Sequence, residues 1–229
     1  AGAINDDGSA GTVIAADILT ATAAGAMTLD TTANNVDLTT SAAGDIDVDE
    51  TNAVTLTNIT AANGSITVDA GGAITVTSVV SSTDADANDI SLTTTSGDIT
   101  VNTMTAGSVG DVNLTSAAAI NDDGSAGTVI TADVLTATAA GAMTLDTTVN
   151  SIDLTTSAAG NIDVDETNAV TLTNITAADG SITVDAGGAI GVTSVVSSTD
   201  ADANDISLTT TVGDITISTV TAGNVGDVN

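Results

Sequence analysis

The sequence of 229 residues contains no lysine, arginine, histidine, proline, cysteine or aromatic residue. Without these side chains there is no cationic group to hold a phosphate, no imidazole base and no strong zinc ligand. Nucleic acid is excluded as a partner, because its binding needs basic residues that neutralise phosphates and aromatic rings that stack on bases. Carboxylates and hydroxyls alone remain for chemistry, so we expect no enzyme.

All 30 charged residues are acidic, and the formal net charge is −30. A large excess of one charge is typical of disordered chains, but 42% of the residues are hydrophobic and the mean hydropathy is +0.37. Aliphatic side chains can therefore form a sizeable core without aromatic rings. No apolar run approaches the roughly 18 residues that span a bilayer, so we expect no membrane insertion of this segment.

A tandem repeat dominates the sequence. The string INDDGSAGTVI begins at Ile4 and returns at Ile120, an offset of 116, and 99 of 113 aligned positions are identical. We therefore define a first copy, residues 1–116, and a second copy, residues 117–229, and expect them to form one continuous rod. The second copy stops three residues short of its full length, so we interpret the chain as an excerpt of a longer array.

Within each copy, apolar–polar–apolar triplets recur. This period-2 pattern is rich in β-branched residues and bounded by Gly, Asn, Asp or Ser, and it predicts short strands with two side chains inward and one outward. Strong helix formers are scarce, because Lys and Arg are absent and glutamate occurs only twice. The triplets of the first copy are Met27–Leu29, Val36–Leu38, Ile46–Val48, Val54–Leu56, Ile66–Val68, Ile74–Val76, Ile90–Leu92, Ile99–Val101 and Val112–Leu114.

The spacing of the triplets indicates a parallel β-solenoid. Every second triplet from Met27 to Val112 recurs after 19, 20, 24 and 22 residues, which suits one solenoid turn with two clear strands. A sandwich would join its strands by hairpins, and two-residue Asn-Gly or Asp-Gly turns are scarce. Stacked turns about 4.8 Å apart would bury each apolar pair under the next. The predicted fold class is all-β.

Three strings carry a resemblance to known repeats. GSITVDAGGAITV (64–76), GDITV (97–101) and GDVNLTSAAAINDDG (110–124) resemble the repeats of filamentous-haemagglutinin-type adhesins, which are large bacterial surface proteins. The resemblance implies a right-handed parallel β-helix, secretion to the cell surface of a Gram-negative-type bacterium and a role as a rod-like stalk. The absence of basic and aromatic residues departs from that family, which argues against a receptor- or glycan-binding role for this segment.

The densest acidic string, STDADAND, is the strongest candidate for a metal site. The spacing D-x-D-x-N opens an EF-hand loop, but the glycine at position 6 and the glutamate at position 12 are missing. The string lies in the longest step between triplets, so it is a candidate Ca²⁺ loop, and a solvated acidic loop is the alternative. The candidate ligands are Asp84, Asp86, Asn88 and Asp89 in the first copy and Asp200, Asp202, Asn204 and Asp205 in the second.

Two further acidic groups have simpler interpretations. INDDG, with Asn5, Asp6, Asp7 and Gly8 and again with Asn121, Asp122, Asp123 and Gly124, predicts a turn, because Asn and Asp side chains bond nearby backbone and glycine adopts positive φ. Asp45, Asp47, Asp49 and Glu50 form an acidic patch on and after one strand. We interpret that patch as a solvated face whose like charges repel between neighbouring turns.

Two activities known on solenoid folds fit poorly. Pectin-degrading β-helices pair carboxylates with basic and aromatic residues that hold acidic sugars, and this chain has neither. Ice-binding solenoids carry regular Thr-x-Thr ladders, but here the pairs Thr20/Thr22, Thr55/Thr57, Thr75/Thr77 and Thr103/Thr105 are scattered, and Gly191 replaces Thr75 in the second copy.

The sequence therefore predicts a structural segment of a long extracellular fibre or adhesin stalk. Its expected partner is a further copy of itself, docked head to tail or laterally. The alternative is an adhesin module that binds Ca²⁺ or a glycan. No cofactor is required for the structural role, and Ca²⁺ is the one ion that the acidic loops suggest.

Overall fold

The computed structural model describes residues 2–6, 14–124, 127, 129–201 and 203–229. These residues form a parallel β-solenoid of about 10 turns, and every pairing between strands is parallel. The described part of the chain holds no helix, and hence none that could cross a lipid bilayer. The predicted all-β parallel solenoid is confirmed.

Strands begin at eight of the nine triplets of the first copy, and several extend further; four more strands begin at Ile4, Ile14, Val79 and Met104, where no triplet was predicted. The triplets at Met27 and Val36 lie in one strand of 14 residues, because every residue between them is also in strand conformation. The strands are β1 (Ile4–Asn5), β2 (Ile14–Ala23), β3 (Met27–Thr40), β4 (Ile46–Glu50), β5 (Val54–Ala61), β6 (Ile66–Ala70), β7 (Ile74–Val76), β8 (Val79–Ser81), β9 (Ile90–Thr94), β10 (Ile99–Val101), β11 (Met104–Thr105), β12 (Val112–Ser116), β13 (Ile120–Asp122), β14 (Ile130–Ala139), β15 (Met143–Thr156), β16 (Ile162–Glu166), β17 (Val170–Ala177), β18 (Ile182–Ala186), β19 (Ile190–Val192), β20 (Val195–Ser197), β21 (Ile206–Thr210), β22 (Ile215–Ile217) and β23 (Val220–Thr221).

The turns contribute strand residues to three stacks. We call two of them the first and second ladders; the third passes through Ile59, Val79, Met104 and Ile130. The first ladder passes through Ile4, Met27, Ile46, Ile66, Ile90, Val112, Leu135, Ile152, Leu172, Val192 and Ile217. The second passes through Val54, Ile74, Ile99, Ile120, Met143, Ile162, Ile182 and Ile206. Every rung in both lists is aliphatic or methionine, so each turn buries its inward side chains under the next.

The core is a continuous column of small aliphatic side chains. Alternate residues along the strands point inward, as in β4, where Ile46 and Val48 are buried and Asp47 and Asp49 are exposed. Burial of each such side chain contributes about 1.5–3 kcal/mol. Within the described residues, no buried side-chain nitrogen or oxygen lacks a hydrogen-bond partner.

The corners between ladders bring backbone very close to backbone. A Cβ atom added at Gly71 would lie 2.0 Å from the carbonyl oxygen of Thr51 in the preceding turn. Gly187 meets Thr167 at the same distance in the second copy. Only glycine fits these corners, because any side chain would push the two turns apart.

The second copy is shifted around the rod relative to the first. Met27 lies in the first ladder, whereas its counterpart Met143 lies in the second. Along the first ladder, Leu135 lies five rungs after Met27 and Ile152 lies six rungs after it. Met143 lies between Leu135 and Ile152 in the sequence, so it falls between two rungs of this ladder. One copy therefore spans five turns plus one further strand stretch, and equivalent surfaces of the two copies lie on different sides of the rod.

Strand pairing continues across the boundary between the copies. In the first ladder, β12 pairs with β9 before it and β14 after it. In the second ladder, β10 pairs with β13, and β13 pairs with β15. Both ladders thus pass the boundary without a break in the hydrogen-bonded pairing.

Candidate functional sites on the acidic surface

The predicted Ca²⁺ loop of the first copy connects β8 to β9. Asp84 Oδ1 accepts hydrogen bonds from the backbone N–H of Ser108 at 2.7 Å and of Val109 at 2.9 Å. Its Oδ2 accepts one from the Ser108 hydroxyl at 2.6 Å. These bonds favour the ionised form and lower the pKa of Asp84. The carboxylate thus fastens its loop to the next turn.

The other candidate ligands of this loop also serve the chain itself. Asn88, which is buried, donates from Nδ2 to Asn63 Oδ1 and to the Thr83 carbonyl, both at 2.9 Å. Asp89 Oδ1 accepts from the backbone N–H of Asp111 at 3.0 Å. Asp86 is exposed. The loop is therefore shaped by its own polar side chains, with one aspartate pointing into solvent.

The second copy repeats this arrangement with two substitutions, Asn224 for Ser108 and Asp179 for Asn63. Asp200 Oδ1 accepts from the backbone N–H of Asn224 at 2.7 Å and of Val225 at 3.0 Å, and Oδ2 accepts from Asn224 Nδ2 at 3.0 Å. The pKa of Asp200 is lowered by these bonds. Asn204 and Asp205 bond to Asp179 and to the Asp227 N–H, and Asp202 lies outside the described residues. An asparagine amide thus replaces the serine hydroxyl of the first copy.

No three His, Cys, Asp or Glu side chains among the described residues are grouped so that they could hold a metal ion. The Ca²⁺ assignment to the two loops remains a prediction. In these loops the oxygens of Asp84 and Asp200 already accept three hydrogen bonds each, which reduces the number of lone pairs available to a cation.

The prediction of a turn throughout the INDDG string is wrong in part: in the second copy Asn121 and Asp122 lie in β13, and the chain bends only at Gly124. Asp122 Oδ1 accepts from the backbone N–H of Gly124 at 2.5 Å, and Gly124 has φ of 75°. Asn102 Nδ2 from the preceding turn donates to Asp123 Oδ2. In the first copy Asn5 lies in β1, whereas Asp7 and Gly8 lie outside the described residues.

Negative charge is also concentrated in a stack of aspartates that the sequence alone did not reveal. Asp146, Asp165 and Asp185 occupy the same outward position on three successive turns of the second ladder; we call them the second aspartate column. They line an open groove with a cavity volume of about 820 Å³, together with Thr209 and Thr211. Asp30, Asp49 and Asp69 form the matching first aspartate column on the first ladder.

Partial burial and repulsion raise the pKa of one column aspartate, Asp146, and of two aspartates beside the columns, Asp163 and Asp47. The pKa of Asp163 is raised, first by partial burial and then by the charges of Asp165 and Asp185. The pKa of Asp146 is raised by partial burial and by nearby carboxylates. In the first copy, Asp47 has a raised pKa for the same reasons. Neighbouring carboxylates therefore repel one another at these three positions.

The interpretation of Glu50 as part of a solvated patch is wrong. Its side chain is only 3% exposed, because Ile46, Val48 and Glu50 share the inward parity of β4. Glu50 Oε2 accepts from the Thr31 hydroxyl at 2.6 Å and the Ala33 N–H at 2.8 Å. Its Oε1 accepts from the Asn52 N–H at 3.0 Å. The carboxylate therefore closes the corner between two turns from the inside.

Glu166 occupies the equivalent corner of the second copy. It is also 3% exposed, and it accepts from the Thr147 hydroxyl at 2.7 Å and from the N–H groups of Val149 and Asn168. The two glutamates of the chain thus have the same buried role. Glutamate reaches these backbone donors where the shorter aspartate side chain would fall about one methylene short.

The stacked threonines of the structure are not the Thr-x-Thr pairs considered in the sequence analysis. Of the Thr-x-Thr residues, Thr55 stacks on Thr75, but Thr20 stacks on Asp37, so the paired rows are interrupted. A single outward column does contain threonine on five successive turns of the first ladder: Thr93, Thr115, Thr138, Thr155 and Thr176. It crosses the boundary between the copies, and stacked threonines of this kind stabilise neighbouring strands.

No protein-family model matches the sequence, and no curated protein or solved structure matches it. The chain is a β-solenoid protein by its architecture.

Proposed function

We propose that this chain is a structural segment of a long extracellular bacterial fibre or adhesin stalk. The observation that carries the proposal is the unbroken strand pairing across the boundary between two nearly identical copies. Each added copy extends the rod by the same geometry. Repetition of a surface adds length, whereas a catalytic or recognition module needs one distinctive site.

The composition supports a role outside the cell. Trypsin-like proteases cleave after Lys or Arg and chymotrypsin-like proteases prefer aromatic residues, and the chain contains neither. The acidic outer surface keeps separate rods apart and in solution. Together with the resemblance of the repeats to filamentous-haemagglutinin-type adhesins, these properties favour a stalk that holds another module away from the cell surface.

Ca²⁺ binding is proposed as an accessory property of the stalk. The two aspartate columns and the exposed Asp86 hold negative charge with no basic side chain in the chain to balance it. Divalent cations that associate with these surfaces in the folded state would stabilise the rod by mass action.

Immunogold labelling of intact cells that produce the protein tests the proposal. Antibody against this chain should label filaments or stalks outside the outer cell surface, and deletion of one copy should shorten them. A deletion of 116 residues removes between five and six turns, or on the order of 26 Å at about 4.8 Å per turn. Label confined to the cell interior would refute the proposal.

A further inference from the structure

The corner that precedes β6 differs between the two copies by a reciprocal exchange of a carboxylate and an amide. The first copy has Asp45 and Asn63, whereas the second copy has Asn161 and Asp179 at the equivalent positions. In each copy the first of these side chains accepts a hydrogen bond at 2.9 Å from the backbone N–H of the serine that lies two residues after the second. Each corner therefore holds one carboxylate and one amide.

The amide of the first copy lies in a chemically reactive context. Asn63-Gly64 is the only Asn-Gly pair in the sequence, and glycine has no side chain to hinder attack by its backbone nitrogen on the preceding amide. Asn63 is exposed to water, and its Oδ1 accepts a hydrogen bond at 2.9 Å from Nδ2 of the buried Asn88. That bond stabilises the negative charge that develops on Oδ1 during such an attack.

The second copy shows that an aspartate fits this corner. Asp179 Oδ1 accepts a hydrogen bond from Asn204 Nδ2 at 2.8 Å, which is the contact that Asn88 makes to Asn63 in the first copy. The backbone carbonyl at this position also accepts a hydrogen bond at 2.9 Å from a glycine N–H in both copies. Replacement of the Asn63 amide by a carboxylate therefore preserves the hydrogen bonds of the corner.

We propose that Asn63 deamidates spontaneously in the folded rod, that aspartate is the main product, and that the new carboxylate repels that of Asp45. The backbone nitrogen of Gly64 loses its proton to hydroxide and bonds to Cγ of Asn63, which closes a succinimide ring. The Cγ–Nδ2 bond then breaks, and Nδ2 takes a proton from water and leaves as ammonia. Water opens the ring at Cγ to give aspartate, or at the backbone carbonyl carbon to give isoaspartate.

The fold favours aspartate, because isoaspartate adds a methylene group to the main chain. Asn63 and Ile66 are each paired in register with the preceding turn, so the length of chain between them is fixed. Gly64 is buried, and a Cβ atom there would clash with the carbonyl oxygen of Gly44. The corner thus has no space for a longer backbone, and the ring should open at Cγ.

The new carboxylate would be the second one at a corner that holds one in each copy. Asp45 Oδ1 lies 2.9 Å from the position that a Cβ at Gly64 would occupy, so both carboxylates border the same residue and repel each other. Asn63→Asp should lower the melting temperature by about 1–4 °C. Asp45→Asn should raise it more in the Asn63→Asp chain than in the unchanged chain, and equal effects in both chains would refute the repulsion.

Deamidation can be located by mass spectrometry of folded protein that has been incubated at mildly alkaline pH. A glutamate-specific protease, applied after unfolding, divides the chain after Glu50 and Glu166, so that Asn63 lies in the middle fragment. This fragment should gain mass at least about tenfold faster than the last fragment, which has no Asn-Gly pair. Asn63→Gln is the matched control and should abolish the gain, because a glutamine must close a larger ring. Equal rates in the two fragments, or an unchanged gain in the control, would overturn the proposal.

The product can be identified with an enzyme that methylates isoaspartate but not aspartate. In the folded chain most of the deamidated protein should escape methylation. The same chain incubated in urea is the control, since its ring can open at either carbon, and a larger share should be methylated. An equal share in the two samples would refute the selection of aspartate by the fold.

Discussion

At the scale of single residues, charge in this protein has three different roles. Asp84 and Asp200 hold loops to the next turn through backbone N–H groups, Glu50 and Glu166 close corners from the inside, and the aspartate columns face solvent. A buried carboxylate is costly unless its oxygens accept hydrogen bonds, and both glutamates accept three. Charge of one sign is therefore compatible with a packed interior, because backbone donors take the place of basic side chains.

Glu166→Gln should destabilise the rod by about 1–3 kcal/mol, because an NH₂ group would face backbone N–H donors in a buried corner. The free energy of unfolding, measured by urea titration, is the readout. Asp165→Asn is the matched control: it removes the same charge from an exposed neighbour and relieves repulsion with Asp146 and Asp185. We expect the control to be neutral or stabilising. Equal losses in both variants would contradict the structural role of Glu166.

The pH dependence of stability follows from two opposing sets of aspartates. Asp47, Asp146 and Asp163 have raised pKa values, so the folded state holds their protons more tightly, and their contribution to stability grows as the pH falls toward 3.8. Asp84 and Asp200 have lowered pKa values, so their contribution is present above 3.8 and is lost as the pH falls further.

Thermal unfolding from neutral to acidic pH should therefore show a stability maximum near the ordinary aspartate pKa of 3.8. Asp84→Asn with Asp200→Asn should reduce the loss of stability on the acidic side of the maximum. A stability that declines steadily from neutral pH downward would contradict the assignment.

At the scale of strands and corners, the period-2 triplets predicted the parallel solenoid and eight strands of the first copy, but not β1, β2, β8 and β11, which begin at no predicted triplet. The same alternation places Glu50 on the inward side after Ile46 and Val48. Its charge nevertheless led to the prediction of an exposed position. The sequence could not predict the displacement of the copies between ladders. Which strand lies above which depends on the lengths of the corners, and these lengths vary from turn to turn. The aspartate columns depend on that register and were therefore missed as well.

Corner glycines should be far less tolerant of substitution than a strand glycine. Gly187→Ala places Cβ 2.0 Å from the Thr167 carbonyl oxygen and should cost about 1–3 kcal/mol or more, because the turns must separate. Gly191→Thr restores the residue of the first copy at Thr75, and the nearest atom to its Cβ is 3.8 Å away. We expect that variant to be stabilising by about 0.5–1 kcal/mol. Urea titration of both variants checks the ranking, and a reversed order would contradict the corner geometry.

At the scale of the whole molecule, a net charge of −30 opposes compaction, while the aliphatic column and the ladders favour it. The displacement of one copy by five turns plus a strand stretch distributes the two aspartate columns to different sides of the rod. A rod of about 10 turns has a length on the order of 50 Å. Repulsion is thus spread along and around the rod instead of accumulating on one side.

Millimolar Ca²⁺ should raise the melting temperature more than NaCl of equal ionic strength does, because ions bound only by the folded state stabilise it. The additional increase should be lost in Asp86→Asn with Asp202→Asn if the predicted loops hold the ion. It should be lost in Asp49→Asn with Asp165→Asn if the aspartate columns hold it. Equal shifts with both salts would reduce the effect to screening.

The central claim is that the two copies form one continuous solenoid, and a disulfide across their boundary tests it most directly. Asn113 and Thr136 are outward neighbours on β12 and β14, as Thr67 and Ser91 are within the first copy. On oxidation of dilute protein, Asn113→Cys with Thr136→Cys should form an intramolecular disulfide at the rate of the internal control pair, Thr67→Cys with Ser91→Cys. Closure of the control pair alone would show that the copies are separate and would contradict the continuous rod.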